Sequence, residues 1–223
     1  LVVNLSKGIL SNGRTIIEFL KTELKSNNLV SLKGPSFAVE IIERADTILT
    51  LGYSTKKQKE IIFKIFNSTC IYLESTKDIS GVEILGVVKN IYAILLGIVD
   101  EQFSFTNSRF MILSKVFDEI KVLNNKFNGD TKTLFLACGL GDICLTSFNN
   151  LSRNRTLGKK IGKGCYDSKE KNMVVVEGVH SLKIIISLLD STTQKKLPLL
   201  NKLFLFFDSE LNEIELDLKE IYK

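Results

Sequence analysis

Apolar and polar positions change their rhythm near residue 76. Before it, short apolar runs alternate with stretches of helical spacing. Residues 1–5 read as a short buried strand closed by Ser6-Lys7-Gly8. Residues 15–24 place Ile16, Ile17, Phe19, Leu20 and Leu24 at helical spacing, and Asn27-Asn28 breaks the pattern. Residues 29–32 form a second apolar run, closed by the turn pair Gly34-Pro35. A short helix over 37–44 follows, then a strand over 47–51 with Gly52 behind it. A helix over 56–66 carries Ile61, Ile62, Ile65 and Phe66 on its apolar face, and a fourth strand covers 70–73. This alternation predicts an α/β region with a parallel sheet.

From Ser80 onward no strand is predicted. Residues 82–99 form a long apolar helix. Residues 109–127 form an amphipathic one, with Leu113, Val116, Phe117, Ile120, Leu123 and Phe127 on one stripe. Further helices are predicted to start at 131 and to cover 152–161, 177–189, 199–207 and the charged stretch to Lys223. The expected organisation is α/β followed by all-α, with residues 1–78 as one domain and 79–223 as the other.

The run 82–99 is long enough to raise the question of a membrane span. Lys89 near its middle would cost about 3 kcal/mol on insertion, and Glu83, Asn90 and Asp100 add to that. A buried core helix is the better reading. At 223 residues the chain is long enough to bury roughly 70% of its unfolded surface. The net charge of +5 is spread among interleaved acids, which argues against nucleic acid and suits a small anionic substrate. Cys70, Cys138, Cys144 and Cys165 form no CxxC pair, and His180 is the single histidine, so no metal site is expected. Free thiols in a reducing compartment are expected instead. No signal peptide opens the chain, and the apolar start Leu1-Val2-Val3 suggests a polypeptide cut into.

The candidate chemistry gathers in Leu136-Ala-Cys-Gly-Leu-Gly-Asp142-Ile-Cys-Leu-Thr146 and Ser152-Arg-Asn-Arg155. Asp142 and Thr146, four apart, share a helix face. The carboxylate could hold a lysine or a substrate hydroxyl, or cap a helix. Ser152 opens a helix whose free amides attract anions, and an arginine there can grip phosphate through paired hydrogen bonds. The alternative is an exposed basic helix. Lys89-Asn90 lie inside the longest apolar helix. A buried ammonium must be paired or used, and buried lysines serve as proton donors and acceptors; otherwise the amine snorkels to water. Gly34, Ser36 and Lys7 follow strands, at the sheet end that faces a ligand crevice in parallel sheets. Ser36 could also cap a helix, and Lys7 could be a loop charge. Gly139-Leu-Gly141 and Gly162-Lys-Gly164 both lack the third glycine and the preceding strand of a dinucleotide-binding loop.

Six stretches in order give a resemblance. They are Asn4-Leu-Ser-Lys-Gly8, Gly34-Pro-Ser-Phe-Ala-Val-Glu40, Val87-Val-Lys-Asn90, Gly139-Leu-Gly-Asp-Ile-Cys-Leu-Thr146, Ser152-Arg-Asn-Arg155 and Val175-Val-Glu-Gly178. With them the chain resembles the NAD(P)-dependent glycerol-3-phosphate dehydrogenases of the bacterial type, without the first, glycine-rich part of their Rossmann domain. The resemblance implies a partial Rossmann sheet (residues 1–78) followed by an all-helical domain of the 6-phosphogluconate dehydrogenase C-terminal type (79–223). It implies reversible reduction of dihydroxyacetone phosphate to glycerol 3-phosphate with NAD or NADP as cofactor, supplying glycerophospholipid synthesis. It makes Lys89 the proton donor and acceptor. It makes Lys7, Gly34, Ser36, Lys89, Asp142, Ser152, Arg153 and Asn154 substrate contacts, and Lys7, Ala38, Arg153, Val175 and Glu177 cofactor contacts. Glu101, Phe103-Ser-Phe-Thr106 and the tail after Pro198 depart from the family pattern.

The expected partner is a phosphorylated small molecule, with neither nucleic acid nor a membrane span. The unpaired edge of the first strand allows a homodimer. A cytoplasmic setting, or an organelle matrix, is expected. The alternative function is a catalytically inactive remnant or interaction module that binds no nucleotide.

Overall fold

The computed structural model describes residues 1–166, 176–209 and 213–222. The chain divides into two compact units, Leu1–Val87 with Asn124–Leu145, and Val88–Leu123 with Thr146–Lys223.

The first unit is built on a four-stranded sheet of order β1-β2-β3-β4, with β1 Val2–Asn4, β2 Leu29–Lys33, β3 Thr47–Gly52 and β4 Ile71–Thr76. Helix α1 (Ile16–Glu23) crosses between β1 and β2, which pair in parallel. It starts where the sequence offers a reciprocal cap: Thr15 accepts from the Glu18 amide, and Glu18 accepts from the Thr15 amide. Helix α3 (Lys56–Phe66) starts the same way on Thr55 and Gln58, and joins the parallel pair β3 and β4.

The expectation of a parallel sheet needs one correction: β2 and β3 pair antiparallel. The reason lies in their connection. Helix α2 (Ala38–Ile42) has only five residues and buries none of them. It advances about 7 Å at 1.5 Å per residue, whereas returning along a six-residue strand needs about 20 Å. The chain therefore turns and comes straight back. Val30, Leu32, Leu49, Leu51 and Ile62 form the core between the sheet and α3.

Helix α4 (Ile79–Gln102) begins in this unit. A methyl on Gly52 would meet the Ile79 backbone and Val82, and one on Gly86 would touch the Lys7 and Lys33 side chains. The first two turns of α4 thus climb from the tail of β3 toward the carboxyl ends of β1 and β2. After α5 (Thr106–Lys126) the chain forms a 3-10 turn at Thr131–Phe135 and a π turn at Ala137–Gly141, where a single helix was expected to start, and enters α6 (Asp142–Phe148).

Among its described residues the second unit contains helices and no strand. It holds the rest of α4 and most of α5, then α7 (Arg153–Gly162), α8 (Glu177–Leu188), α9 (Ser191–Gln194), α10 (Pro198–Asp208) and α11 (Leu218–Ile221). Helix α4 is long and apolar enough to cross a membrane, yet its apolar window is wholly buried inside the protein. It is a core helix. Here α4 and α7 meet backbone to backbone. A Cβ on Gly158 would lie 1.9 Å from the Ile94 carbonyl oxygen, and one on Gly97 2.4 Å from that of Arg155.

Candidate functional site

In the first unit, the ends of β1 and β2 carry the residues picked out from the sequence. The Lys7 ammonium pairs with the Asp142 carboxylate at 3.1 Å. Lys7 keeps a quarter of its side chain exposed, while that of Asp142 is buried. Of the three readings open for Asp142, holding a lysine is met. Gly34 is required by packing, since a Cβ there would lie 2.8 Å from the Ile48 carbonyl oxygen. The Ser36 hydroxyl donates to the Gly34 carbonyl at 3.0 Å and closes the turn. Ala38 opens α2 and is exposed.

Behind these residues lies a buried polar cluster that the sequence reading missed. The Lys33 ammonium is 3.0 Å from Glu83 and donates to the Asn4 carbonyl at 3.0 Å. Glu83 also accepts from the Asn4 amide at 2.9 Å, from the Ser31 hydroxyl and from the Ile17 amide at 3.3 Å. Burial pushes the Lys33 ammonium below its ordinary value, against the attraction of Glu83. The available signal was a charge in each of two apolar runs, each in need of a partner. Nearby, burial raises the Cys138 thiol to about 12, so it is a core residue.

In the second unit, Lys89 is buried, and its ammonium donates to the Thr146 hydroxyl at 2.7 Å. The snorkelling alternative therefore does not apply. One residue on, the Asn90 amide donates to Glu177 at 3.0 Å. The next residue, Gly178, donates its backbone N–H to Asn154 Oδ1 at 3.1 Å. A Cβ on Gly178 would lie 2.6 Å from the Asn90 carbonyl oxygen and 2.7 Å from Asn154 Oδ1. The first turn of α8 thus sits against both α4 and α7. It brings Asn90, Asn154 and Glu177 to one place. Because Asn154 accepts through its oxygen, its amino group is the end left to donate.

The cluster Ser152–Arg155 divides its labour. Ser152 caps α7, accepting from the Arg155 amide. Arg153 is exposed. Arg155 is turned inward: it forms a close ion pair with Asp100, donates to Asn150 Oδ1 at 2.8 Å and reaches the Ser147 carbonyl. Only one of the two guanidinium groups is therefore presented to solvent. Glu101, a departure from the family pattern, pairs with Lys159 at 3.3 Å and Lys163 at 3.9 Å, which fastens α4 to α7. His180 is exposed on α8, and all four cysteines are free. Val175 lies outside the described residues.

The donor set suits one end of a nicotinamide nucleotide. A carboxamide needs a donor and an acceptor; the Asn90 amide and the Glu177 carboxylate are groups of those two types, and here they bond each other. Among the described residues the pyrophosphate end is not matched. A Cβ on Gly139 would lie 2.2 Å from the Leu134 carbonyl oxygen, and one on Gly162 2.9 Å from that of Ile98. These glycines serve internal packing and do not form an open phosphate loop.

The family model for the C-terminus of NAD-dependent glycerol-3-phosphate dehydrogenase matches residues 78–215, and that for its N-terminus matches residues 1–59. A glycerol-3-phosphate dehydrogenase [NAD(P)+] of Methanothermobacter thermautotrophicus is 34% identical over 91% of this chain and 62% of its own length. A chloroplastic glycerol-3-phosphate dehydrogenase [NAD(+)] of Arabidopsis thaliana is 34% identical over 94% of this chain and 51% of its own. The chain thus spans 51–62% of the length of these two relatives. The crystal structure of glycerol-3-phosphate dehydrogenase from Coxiella burnetii superposes with a TM-score of 0.82 and 28% identity, over 94% of this chain and 65% of that one. A Plasmodium falciparum glycerol-3-phosphate dehydrogenase shares the fold, with a TM-score of 0.85 and 19% identity over 99% of this chain and 64% of that one.

Proposed function

This chain belongs to the NAD-dependent glycerol-3-phosphate dehydrogenase family, and from that premise we propose that it carries the substrate chemistry of such an enzyme. The reaction is the reversible reduction of dihydroxyacetone phosphate to glycerol 3-phosphate with NAD or NADP. The observation that carries the proposal is the junction at Gly178, where the Asn90 turn of α4 and the serine-capped start of α7 meet one helix end.

A bound nicotinamide nucleotide supplies the hydride. Lys89 answers the charge that develops on the substrate's carbonyl oxygen. Its buried ammonium can donate a proton there, and a fixed charge in a dry site stabilises an alkoxide without reorganisation. The Thr146 hydroxyl holds that ammonium in place. Arg153, the Asn154 amino group and Ser152 at the start of α7 hold the phosphate, a remote grip that aligns the reacting carbon. Glu177 and Val175 are cofactor contacts in this reading, as is Arg153. In the first unit, Lys7, Gly34, Ser36 and Asp142 are substrate contacts, and Lys7 and Ala38 meet the cofactor. Residues 1–78 are the cofactor-side domain and 79–223 the substrate-side domain. A homodimer in the cytoplasm or an organelle matrix completes the reading.

The inactive-remnant alternative is not favoured, because the family match extends over both units. Turnover of dihydroxyacetone phosphate compared with dihydroxyacetone tests the proposal. A strong preference for the phosphorylated ketone is expected. Equal turnover would remove the phosphate site, and no binding of NADH at millimolar concentration would favour the remnant.

A further inference from the structure

Lys7 lies in the loop between β1, which ends at Asn4, and α1, which starts at Ile16. Its ammonium sits on a flexible four-carbon stem, and such a group reaches one partner reliably only if the backbone beneath it is fixed. The far end of the loop is fixed by a bridge between Ile9 and Thr15. The near end is fixed by a side chain. Asn4 Oδ1 accepts from the Ser6 N–H at 3.0 Å, and Asn4 Nδ2 donates to the Ser6 carbonyl at 3.2 Å. One amide thus holds both backbone polar groups of the residue before Lys7.

Asn4 is itself anchored. Its Nδ2 also donates to both oxygens of Glu83, at 2.9 and 3.1 Å, and its carbonyl accepts from the Lys33 ammonium at 3.0 Å. Glu83, on α4, accepts in addition from Ser31 on β2 and from the Ile17 amide in the first turn of α1. Asn4, Ser31, Lys33 and Glu83 are all buried. The clasp on Ser6 is therefore mounted on three elements of regular structure. The residue type suits the task. The position needs an acceptor toward the Ser6 N–H and a donor toward a carboxylate, and asparagine carries both on one plane. Aspartate would keep the acceptor and lose the donor.

We propose that Asn4 is a positioning residue for Lys7: it clasps the loop at Ser6 and so carries the fixed geometry of the buried Glu83 cluster to the ammonium that faces Asp142. The proposal rests on the reading of Lys7 as a substrate and cofactor contact. Asn4 acts on the reaction through Lys7.

Amine labelling tests the clasp without substrate or nucleotide. Acetylation of the folded protein by an N-hydroxysuccinimide ester, read at each lysine by mass spectrometry, compares the wild type with Asn4→Ala. Lys7 should react about two- to fivefold faster in the variant, the hold that a partly exposed ion pair exerts. Lys33 should stay unreactive. It reports on the buried cluster, because it bonds the backbone carbonyl of residue 4, which alanine keeps. An unchanged rate at Lys7 would overturn the proposal, and so would a matching rise at Lys33, since Asn4 would then only support the core. If Asn4→Ala does not fold, Ser6→Pro decides. It removes the N–H that Asn4 Oδ1 takes and leaves Asn4 its bonds to Glu83. The same acceleration is expected, and an unmoved Lys7 refutes the clasp.

Kinetics test its consequence. Asn4→Ala should lower kcat/KM for dihydroxyacetone phosphate by about ten- to a hundredfold, the scale of loss that a misplacement of about 1 Å can cause. In a Lys7→Met background the same substitution should cost nothing further, because the two residues act as one unit. Equal losses in both backgrounds would overturn the proposal. A wild type without turnover would remove the dehydrogenase reading instead, and the labelling result would still decide whether Asn4 holds Lys7.

Discussion

The Lys89 ammonium donates to the Thr146 hydroxyl at 2.7 Å, with both residues buried. The contact joins a charge inside the most apolar helix to a later helix. It supports a division of roles between a reacting group and the group that aims it. Lys89→Met should abolish turnover of dihydroxyacetone phosphate while leaving stability unchanged or raised, since replacing a buried ion by an apolar side chain is often neutral or better. Thr146→Val should cost about 1–3 kcal/mol, because it withdraws an acceptor from a buried donor, and should lower kcat more than it raises KM. Urea unfolding and steady-state kinetics read both. Full activity in Lys89→Met would remove the assignment.

The contact between α4 and α7 has no room for a methyl group. Gly158→Ala would set a Cβ 1.9 Å from the Ile94 carbonyl oxygen, and backbone cannot yield as a flexible side chain can. Alanine is otherwise favoured over glycine in a helix by about 1 kcal/mol, so the sign is informative. Gly158→Ala should destabilise by about 1–3 kcal/mol or more. Gly86→Ala is the control. The nearest atoms to its new methyl would be those of the flexible Lys7 and Lys33 side chains, from 3.5 Å outward, and it should be neutral or stabilising. Thermal unfolding distinguishes the two.

The Lys33–Glu83 pair should behave as a unit. Removing either partner leaves a buried charge uncompensated, so Lys33→Met and Glu83→Leu should each cost about 3–5 kcal/mol. The double variant should recover part of that loss. A double-mutant cycle by urea unfolding gives the coupling, and additive losses would show that the two charges act independently.

The thiols should separate by reactivity. Cys138 is buried and raised to about 12, whereas Cys165 is exposed. At pH 8, iodoacetamide should label Cys165 in the folded protein and leave Cys138 untouched until urea is added. Peptide mapping by mass spectrometry reads both sites.

Local signals carried much of the fold. Thr15 with Glu18 and Thr55 with Gln58 announce their helices because a reciprocal cap is written within four residues. The long apolar helix was legible from its run of apolar residues, and the start at Ser152 from a serine at the cap position. Antiparallel β2 and β3 were not. Their direction depends on how far a five-residue helix reaches, and that length is set by packing more than by pattern. Glu83 bonds Lys33 and Glu119 bonds α10 across separations that have no period, so neither contact was written in a local pattern. The cluster Ser152–Arg155 showed which groups gather. It did not show that alternate arginines would face opposite ways, because Arg155 turns toward Asp100, a partner 55 residues earlier.

That opposition sets how freely each arginine can be exchanged. Arg155 fills a mould of one carboxylate, one amide and one carbonyl, which matches a planar fork of donors and which no ammonium can reproduce. Arg153 faces water and answers only to whatever arrives there. Over generations, drift should be barred at the hidden guanidinium for architectural reasons alone, while the visible one is held by none of these contacts.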